Sequence, residues 1–313
     1  MGNISGIKIA EGTHSINHAL FADDVIYLGG ASVRIAKKFK NTLSAYCKAY
    51  GGKTNTSKSE IYGWNTDSGM MNKIARSLSM KGYDKWEKFK YLGLPIFLGN
   101  SKGRHWKEVI EKIQGKINFW GGRWINKAGK LILLIFFLSA LPIYQFSALL
   151  APKMVCNTIA RLLREFLWKG GKDNQGKFHL INWNTVKRSK QEGGLQIRDP
   201  HSANLALGGK ILWQVFDNKK HWVSQAIRKK YLAGLDPRNL ASIPRGSPVW
   251  NLCKSVMPTF LKKLYWIPGN GEKIHLWEDK IMGKEELKKD RDLEGIRIWL
   301  EREGHGKLKD IVT

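Results

Sequence analysis

The chain has 313 residues, of which 42% are apolar and 13 are Trp, enough to bury a substantial core in two or more packed subdomains and too much for a disordered tail. Against 26 Asp plus Glu stand 53 Lys plus Arg, a net charge of +27, which points to a polyanionic partner held by salt-sensitive, sequence-tolerant contacts. The lysines are spread along the chain, so the expected contact surface is a set of charged faces on folded elements. Cys47, Cys156 and Cys253 show no CxxC and no Cys/His cluster at zinc spacing, so reduced core thiols are expected. With no secretory signal in the opening residues, the expected setting is intracellular, nucleus or cytoplasm.

In chain order, Gly6 to Ala10 and Ser15 to Phe21 alternate apolar with polar or small residues, Ala22-Asp23-Asp24 interrupts, and Val25 to Leu28 resumes the apolar run. That pattern predicts strands and a hairpin. Val33, Ala36, Phe39, Leu43, Tyr46 and Tyr50 then recur at three- and four-residue steps, predicting a helix from Ser32 to Tyr50 closed by Gly51-Gly52. Ser59 to Trp64 and Phe89 to Pro95 read as short strands, with a helix between Gly69 and Ser79, so the opening region is α+β. Further on, Trp106, Val109, Ile110, Ile113 and Ile117 form one helical face and Val155, Ile159, Leu162, Leu163, Phe166 and Leu167 another. A Gly/Lys/Asn/Gln-rich linker is expected at Lys169 to Lys177, ahead of His179 to Trp183. A helix is expected at Ser202 to Phe216, and loop-rich sequence follows.

Leu131 to Leu150 is a run of 20 residues without a charge, long enough to span a bilayer. Pro142, Gln145 and two serines lie within it, and basic sequence flanks it on both sides. A buried helix, bent or broken before Pro142, is therefore the expectation over a membrane span. Trp106, Trp120, Trp124, Trp168, Trp183 and Trp213 can either stack on bases or pack in the core, and core packing is the expectation. His14 and His18 have no partner at ligand spacing and read as strand-edge residues.

Phe21-Ala22-Asp23-Asp24 is the sharpest local feature. Adjacent carboxylates at a tight turn repel one another unless a cation lies beside them, and hard oxygen ligands suit Mg²⁺. By itself Asp-Asp is also an ordinary exposed turn dipeptide. The stretch Ile16 to Asp24 resembles the catalytic hairpin in the palm of reverse transcriptases from plant-type non-LTR, LINE-like retrotransposons. The resemblance extends through Tyr50-Gly51-Gly52-Lys53-Thr54-Asn55, Lys58-Ser59 and Lys90-Tyr91-Leu92-Gly93-Leu94-Pro95. It continues in matching order through Ala128-Gly129-Lys130, Ala140-Leu141-Pro142-Ile143-Tyr144, Phe166-Leu167-Trp168, Glu192-Gly193-Gly194-Leu195 and Trp277-Glu278-Asp279. Motif order supplies the context that a lone FADD lacks.

The resemblance implies a partial palm over 1–98, a helical thumb-like region over 99–170 and a basic helical and loop-rich region over 171–313. It implies that Asp23 and Asp24 are the Mg²⁺-binding catalytic carboxylates of an RNA-directed DNA polymerase, with RNA, DNA and dNTP as partners. Lys53 or Lys58 would approach the triphosphate, or each is simply a solvated turn lysine. The family's third catalytic aspartate and its fingers lie upstream of the hairpin, yet only 20 residues precede Phe21 and none is Asp. The expectation is thus a truncated copy, inactive alone and also without the family's downstream zinc-binding segment and RNase H domain. The alternative is a domesticated basic nucleic-acid-binding or interaction protein in which the aspartates are inert.

Overall fold

The computed structural model describes residues 4–121, 123–169, 181–217, 221–233, 244–272, 274–282, 284 and 286–311. The chain is α+β, 54% helical and 11% strand, and divides into two compact units, Met1–Cys253 and Lys254–Thr313.

The first unit opens with β1 (Ile7–Lys8) against β2 (Ser15–Ile16), then β3 (His18–Phe21) against β4 (Asp24–Tyr27), both pairs antiparallel. Gly6 is required beside β2, because a Cβ there would meet the Ile16 carbonyl oxygen at 2.3 Å. Helix α1 (Val33–Tyr50) starts where Ser32 Oγ accepts the Ile35 N–H and ends at Gly51, φ 69°, the start and stop signals expected from sequence. Tyr27 packs on Phe39 of α1, ring centroids 4.7 Å apart, and so seats the β3–β4 hairpin. Burial, together with Cys47 and Tyr46 nearby, pushes the Tyr27 phenol above its ordinary pKa.

Strand β5 (Glu60–Tyr62), helix α2 (Ser68–Leu78) and strand β6 (Lys81–Tyr83) form a parallel crossover. Met71 of α2 is buried against Gly63 and Gly82, where a Cβ would approach its side chain to 2.3 and 3.0 Å. Tyr62 stacks on Tyr83 and on Phe89 at 5.3 and 4.2 Å, which joins this layer to the next. The segment expected as one strand at Phe89 to Pro95 is a hairpin, β7 (Lys88–Tyr91) with β8 (Leu94–Phe97). Leu92 and Gly93 form its turn with φ 49° and 77°, the double left-handed geometry that twisted antiparallel pairs favour. The Tyr144 hydroxyl donates to the Leu92 carbonyl at 2.7 Å.

The core lies among α3 (Lys107–Gly121), α4 (Lys127–Leu133), a π-helical turn (Leu134–Leu138), α5 (Ile143–Phe146) and α6 (Lys153–Lys169). Both sequence-derived faces are inside: Trp106, Val109, Ile113 and Ile117 pack with Val155, Ile159, Leu162, Leu163, Phe166 and Leu167. The uncharged run breaks into short helical pieces before Pro142, as expected, but it is not wholly buried: Leu134 and Leu138 are fully buried, whereas Ile132, Phe136 and Phe137 are exposed. A uniformly apolar run carries no periodic signal to say which side faces in. Among the described residues no helix is long and apolar enough to cross a membrane.

After α7 (Trp183–Lys187), the Glu192-Gly193-Gly194-Leu195 block makes a tight corner. Ser189 and Glu192 cap each other reciprocally, Gly193 turns with φ 77°, and Gly194 passes the Arg188 backbone so closely that a Cβ would lie 2.1 Å from its oxygen. Helix α8 (Pro200–Asp217) begins at Asp199, whose Oδ2 accepts from the Ser202 N–H at 3.0 Å while Oδ1 takes Lys187 Nζ at 2.7 Å. Burial would raise the Asp199 pKa, but the bonds from Lys187 and Ser202 outweigh it and hold the carboxyl below the usual range. A depressed folded-state pKa stabilises the chain above about pH 4 and the gain is lost as pH falls through the folded value. Asp199→Asn is therefore expected to be less stable than the parent at neutral pH and to converge with it in acid; thermal melts across that range that stay parallel would refute this.

Helices α9 (Trp222–Ile227) and α10 (Pro248–Lys263) follow, with Trp250 fully buried and stacked on Tyr231 at 4.6 Å. Cys156 and Cys253 are buried thiols raised by desolvation to about 11 and about 12, whereas Cys47 is half-exposed. The second unit contains α11 (Glu294–Arg302), the bridges Trp266 to Ile281 and His275 to Lys307, and buried Ile274, Leu276 and Trp277. The stretch expected as a linker at 170–177, and His179 beyond it, lie outside the described residues.

Candidate site at the Asp23–Asp24 hairpin

A two-residue connection turns β3 into β4: Phe21 pairs with Asp24, and Ala22 and Asp23 bridge them. Ala22 takes φ 51°, a left-handed conformation that costs an L-residue about 1–2 kcal/mol. Asp23 therefore sits on the turn and Asp24 is the first residue of β4, both exposed. Neither carboxylate takes part in an ion pair or side-chain hydrogen bond among the described residues, in a chain with a surplus of cations. The strand leading in is open as well, with Leu20 56% and Phe21 63% exposed.

Lys53 and Lys58 are exposed on the loop between α1 and β5. Asn55 organises that loop: its Oδ1 accepts the Lys58 N–H at 3.2 Å and the Ser57 hydroxyl at 2.7 Å, and its carbonyl accepts Ser59 Oγ at 2.8 Å. Neither lysine pairs with Asp23 or Asp24. His14 and His18 are exposed beside the hairpin, with His18 Nδ1 2.6 Å from Asn17 Oδ1. Among the described residues no three of His, Cys, Asp and Glu come together as a metal-holding group. The donor set at the tip is thus two carboxylates, which suits a Mg²⁺ ion completed by water and phosphate oxygens.

Of the six tryptophans that could stack on bases, Trp106 is fully buried and Trp120, Trp168 and Trp183 are half-buried, in keeping with core packing. Two depart from it: Trp213 is 54% exposed and Trp124 completely so. Trp124 continues the spacing of Ile117 and Trp120, but α3 ends at Gly121 and the residue leaves the buried face. The Gly121-Gly122 pair was the available signal.

Fold and site together define a strongly basic α+β chain with two adjacent carboxylates at a hairpin tip that are unpaired among the described residues. No family model matches it. The chain is 32% identical over 187 residues, 58% of its length, to an Arabidopsis thaliana protein named as a ribonuclease H protein, of which it spans 30%. It is also 25% identical over 142 residues, 45% of its length, to an uncharacterized mitochondrial protein of Arabidopsis thaliana, of which the match covers 92%.

Proposed function

We propose that the chain is a portion of a plant retroelement reverse transcriptase that binds RNA and DNA through basic faces, with Asp23 and Asp24 as Mg²⁺ ligands, and that it does not polymerise DNA alone. The observation that carries this reading is the hairpin tip, where two adjacent carboxylates have no cation partner among the described residues in a chain of net charge +27. Like charges so placed gain from a divalent ion between them. The similarity to a protein named for ribonuclease H supports it, because the family resembled in sequence carries such a domain. Mg²⁺ held there would neutralise triphosphate oxygens and help activate the attacking hydroxyl. Asp23 and Asp24 would position the ion, while Lys53 and Lys58 on the exposed loop between α1 and β5 are candidates for the triphosphate. The inactive clause rests on donor number: among the described residues no third His, Cys, Asp or Glu joins the two carboxylates in a metal-holding group.

The test is primer extension on an RNA template with Mg²⁺ and dNTPs, beside Asp23→Ala/Asp24→Ala, together with binding of the same primer-template at rising KCl. Expected are log-linear weakening with salt in both proteins, a Mg²⁺·dNTP-dependent gain in the parent alone, and no extension by either. Extension by the parent that the double substitution abolishes would overturn the inactive clause. Binding indifferent to Mg²⁺ and to the double substitution would transfer the assignment to a nucleic-acid-binding protein without polymerase chemistry.

A further inference from the structure

At the end of α3 the surface alternates aromatic rings with cations. Trp124 is completely exposed, Phe119 is 57% and Phe137 49% exposed. The Arg123 guanidinium lies over the Phe119 ring at 4.2 Å, and Lys116 Nζ approaches the Phe137 ring at 5.9 Å. Phe137 in turn stands edge-on to Trp120, centroids 5.4 Å apart, so the π-helical turn and α3 present their rings side by side. Trp124 itself has no ring or hydrogen-bond partner among the described residues.

Charge here is one-sided. From Lys112 to Arg164 the sequence contains no Asp or Glu, and the acids just before it are engaged, Glu108 by Lys88 and Lys90 and Glu111 by Lys107. Glu165, beyond that stretch, is paired with Arg161, and exposed aromatics on a mainly cationic ground match a ligand with a phosphate backbone and flat, unstacked bases. A bilayer is a poorer fit, because a helix lying in a membrane needs a continuous apolar stripe, and the stripe of α3 is already spent on the core through Val109, Ile113 and Ile117. Duplex is poorer too, since its bases offer no free face to a ring.

We infer that Lys116, Phe119, Arg123, Trp124, Lys127 and Phe137 form a docking surface for single-stranded nucleic acid, with one base stacked on Trp124. This rests on the nucleic-acid-binding reading above and narrows it to a place and a strandedness. Arg123, fixed over Phe119, presents its cation beside that base, and Lys116 and Lys127 flank the backbone.

The probe is a fluorescein-labelled oligo(dT) of about 20 nucleotides, titrated with the full chain, its Trp124→Ala and Arg123→Gln variants, and Trp213→Ala as an exposed control. Expected is a loss of about five- to a hundred-fold in Trp124→Ala with an unchanged salt slope, a slope smaller by about one in Arg123→Gln, and parent-like binding by Trp213→Ala. Thermal melts of Trp124→Ala should match the parent, as a fully exposed ring carries no packing. Salt-dependent binding that is the same in parent and Trp124→Ala would overturn this surface and leave the broader reading standing. No salt-dependent binding by the parent to single strand or duplex would overturn both. Trp124-dependent flotation with anionic lipid vesicles at high salt, with oligonucleotide binding unaffected, would assign the patch to membranes instead and also overturn the proposal.

Discussion

Asn204→Ala is expected to cost roughly 3–5 kcal/mol of stability, read as a lower urea midpoint and a melting temperature lowered by about 10 °C. Asn204 is fully buried on α8. Its Oδ1 accepts the Ala151 N–H at 2.9 Å, and its Nδ2 donates to the carbonyls of Phe146 and Leu149 at 2.8 and 2.9 Å. These are the backbone groups that the end of α5 and the turn into α6 leave without helical partners. Alanine would strand all three in a dry interior, where each unsatisfied group costs about 1–3 kcal/mol. Asn204→Asp keeps the acceptor, loses both donors and adds a charge, so it should be at least as damaging. A loss under about 1 kcal/mol in Asn204→Ala would mean that the three groups find other partners.

Trp106→Ala should cost about 3–5 kcal/mol, the range for deleting a large buried ring. Trp106 is completely buried, tilts against Phe146 with centroids 5.4 Å apart and donates from Nε1 to Ser101 Oγ at 2.9 Å. The deletion would open a cavity between α3 and α5 and orphan the Ser101 hydroxyl. The same substitution at Trp124, one helix length away, should change stability by no more than about 0.5 kcal/mol. Urea unfolding followed by circular dichroism separates them, and equal midpoints for the two variants would contradict the packing described here.

Elements with local signals were legible in the sequence. Helix α1 announced itself by Ser32, its apolar spacing and Gly51, and the α6 face by its spacing alone. Elements made by partners were not. Strand β6 is Lys81-Gly82-Tyr83, too short and too glycine-rich to read, and it exists because α2 returns the chain alongside β5. The Phe89 to Pro95 stretch looked like one strand because Leu92 stands where a turn residue such as Asn would have been recognisable. The Leu131 to Leu150 run hid its exposed side behind uniform hydrophobicity, and Asn204 gave no sign, since its three partners are 53 to 58 residues away. At the hairpin, the position of Asp23 and Asp24 was readable because turn chemistry is local. How Lys53 and Lys58 would stand toward them was not, because that depends on how Asn55 folds the intervening loop.

The bond from Tyr144 to the Leu92 turn spans 52 residues and bears on biosynthesis. Leu92 holds a left-handed backbone that costs an L-residue about 1–2 kcal/mol, and the hydroxyl that braces it is made long after the turn itself. On a ribosome releasing the chain from its N-terminus, β7 and β8 can meet early but cannot be locked until α3 and the apolar pieces after it have emerged. A nascent chain stalled before residue 144 would carry this hairpin unbraced, so the maturation of the N-terminal layers is clocked by synthesis of the helical layer that follows them.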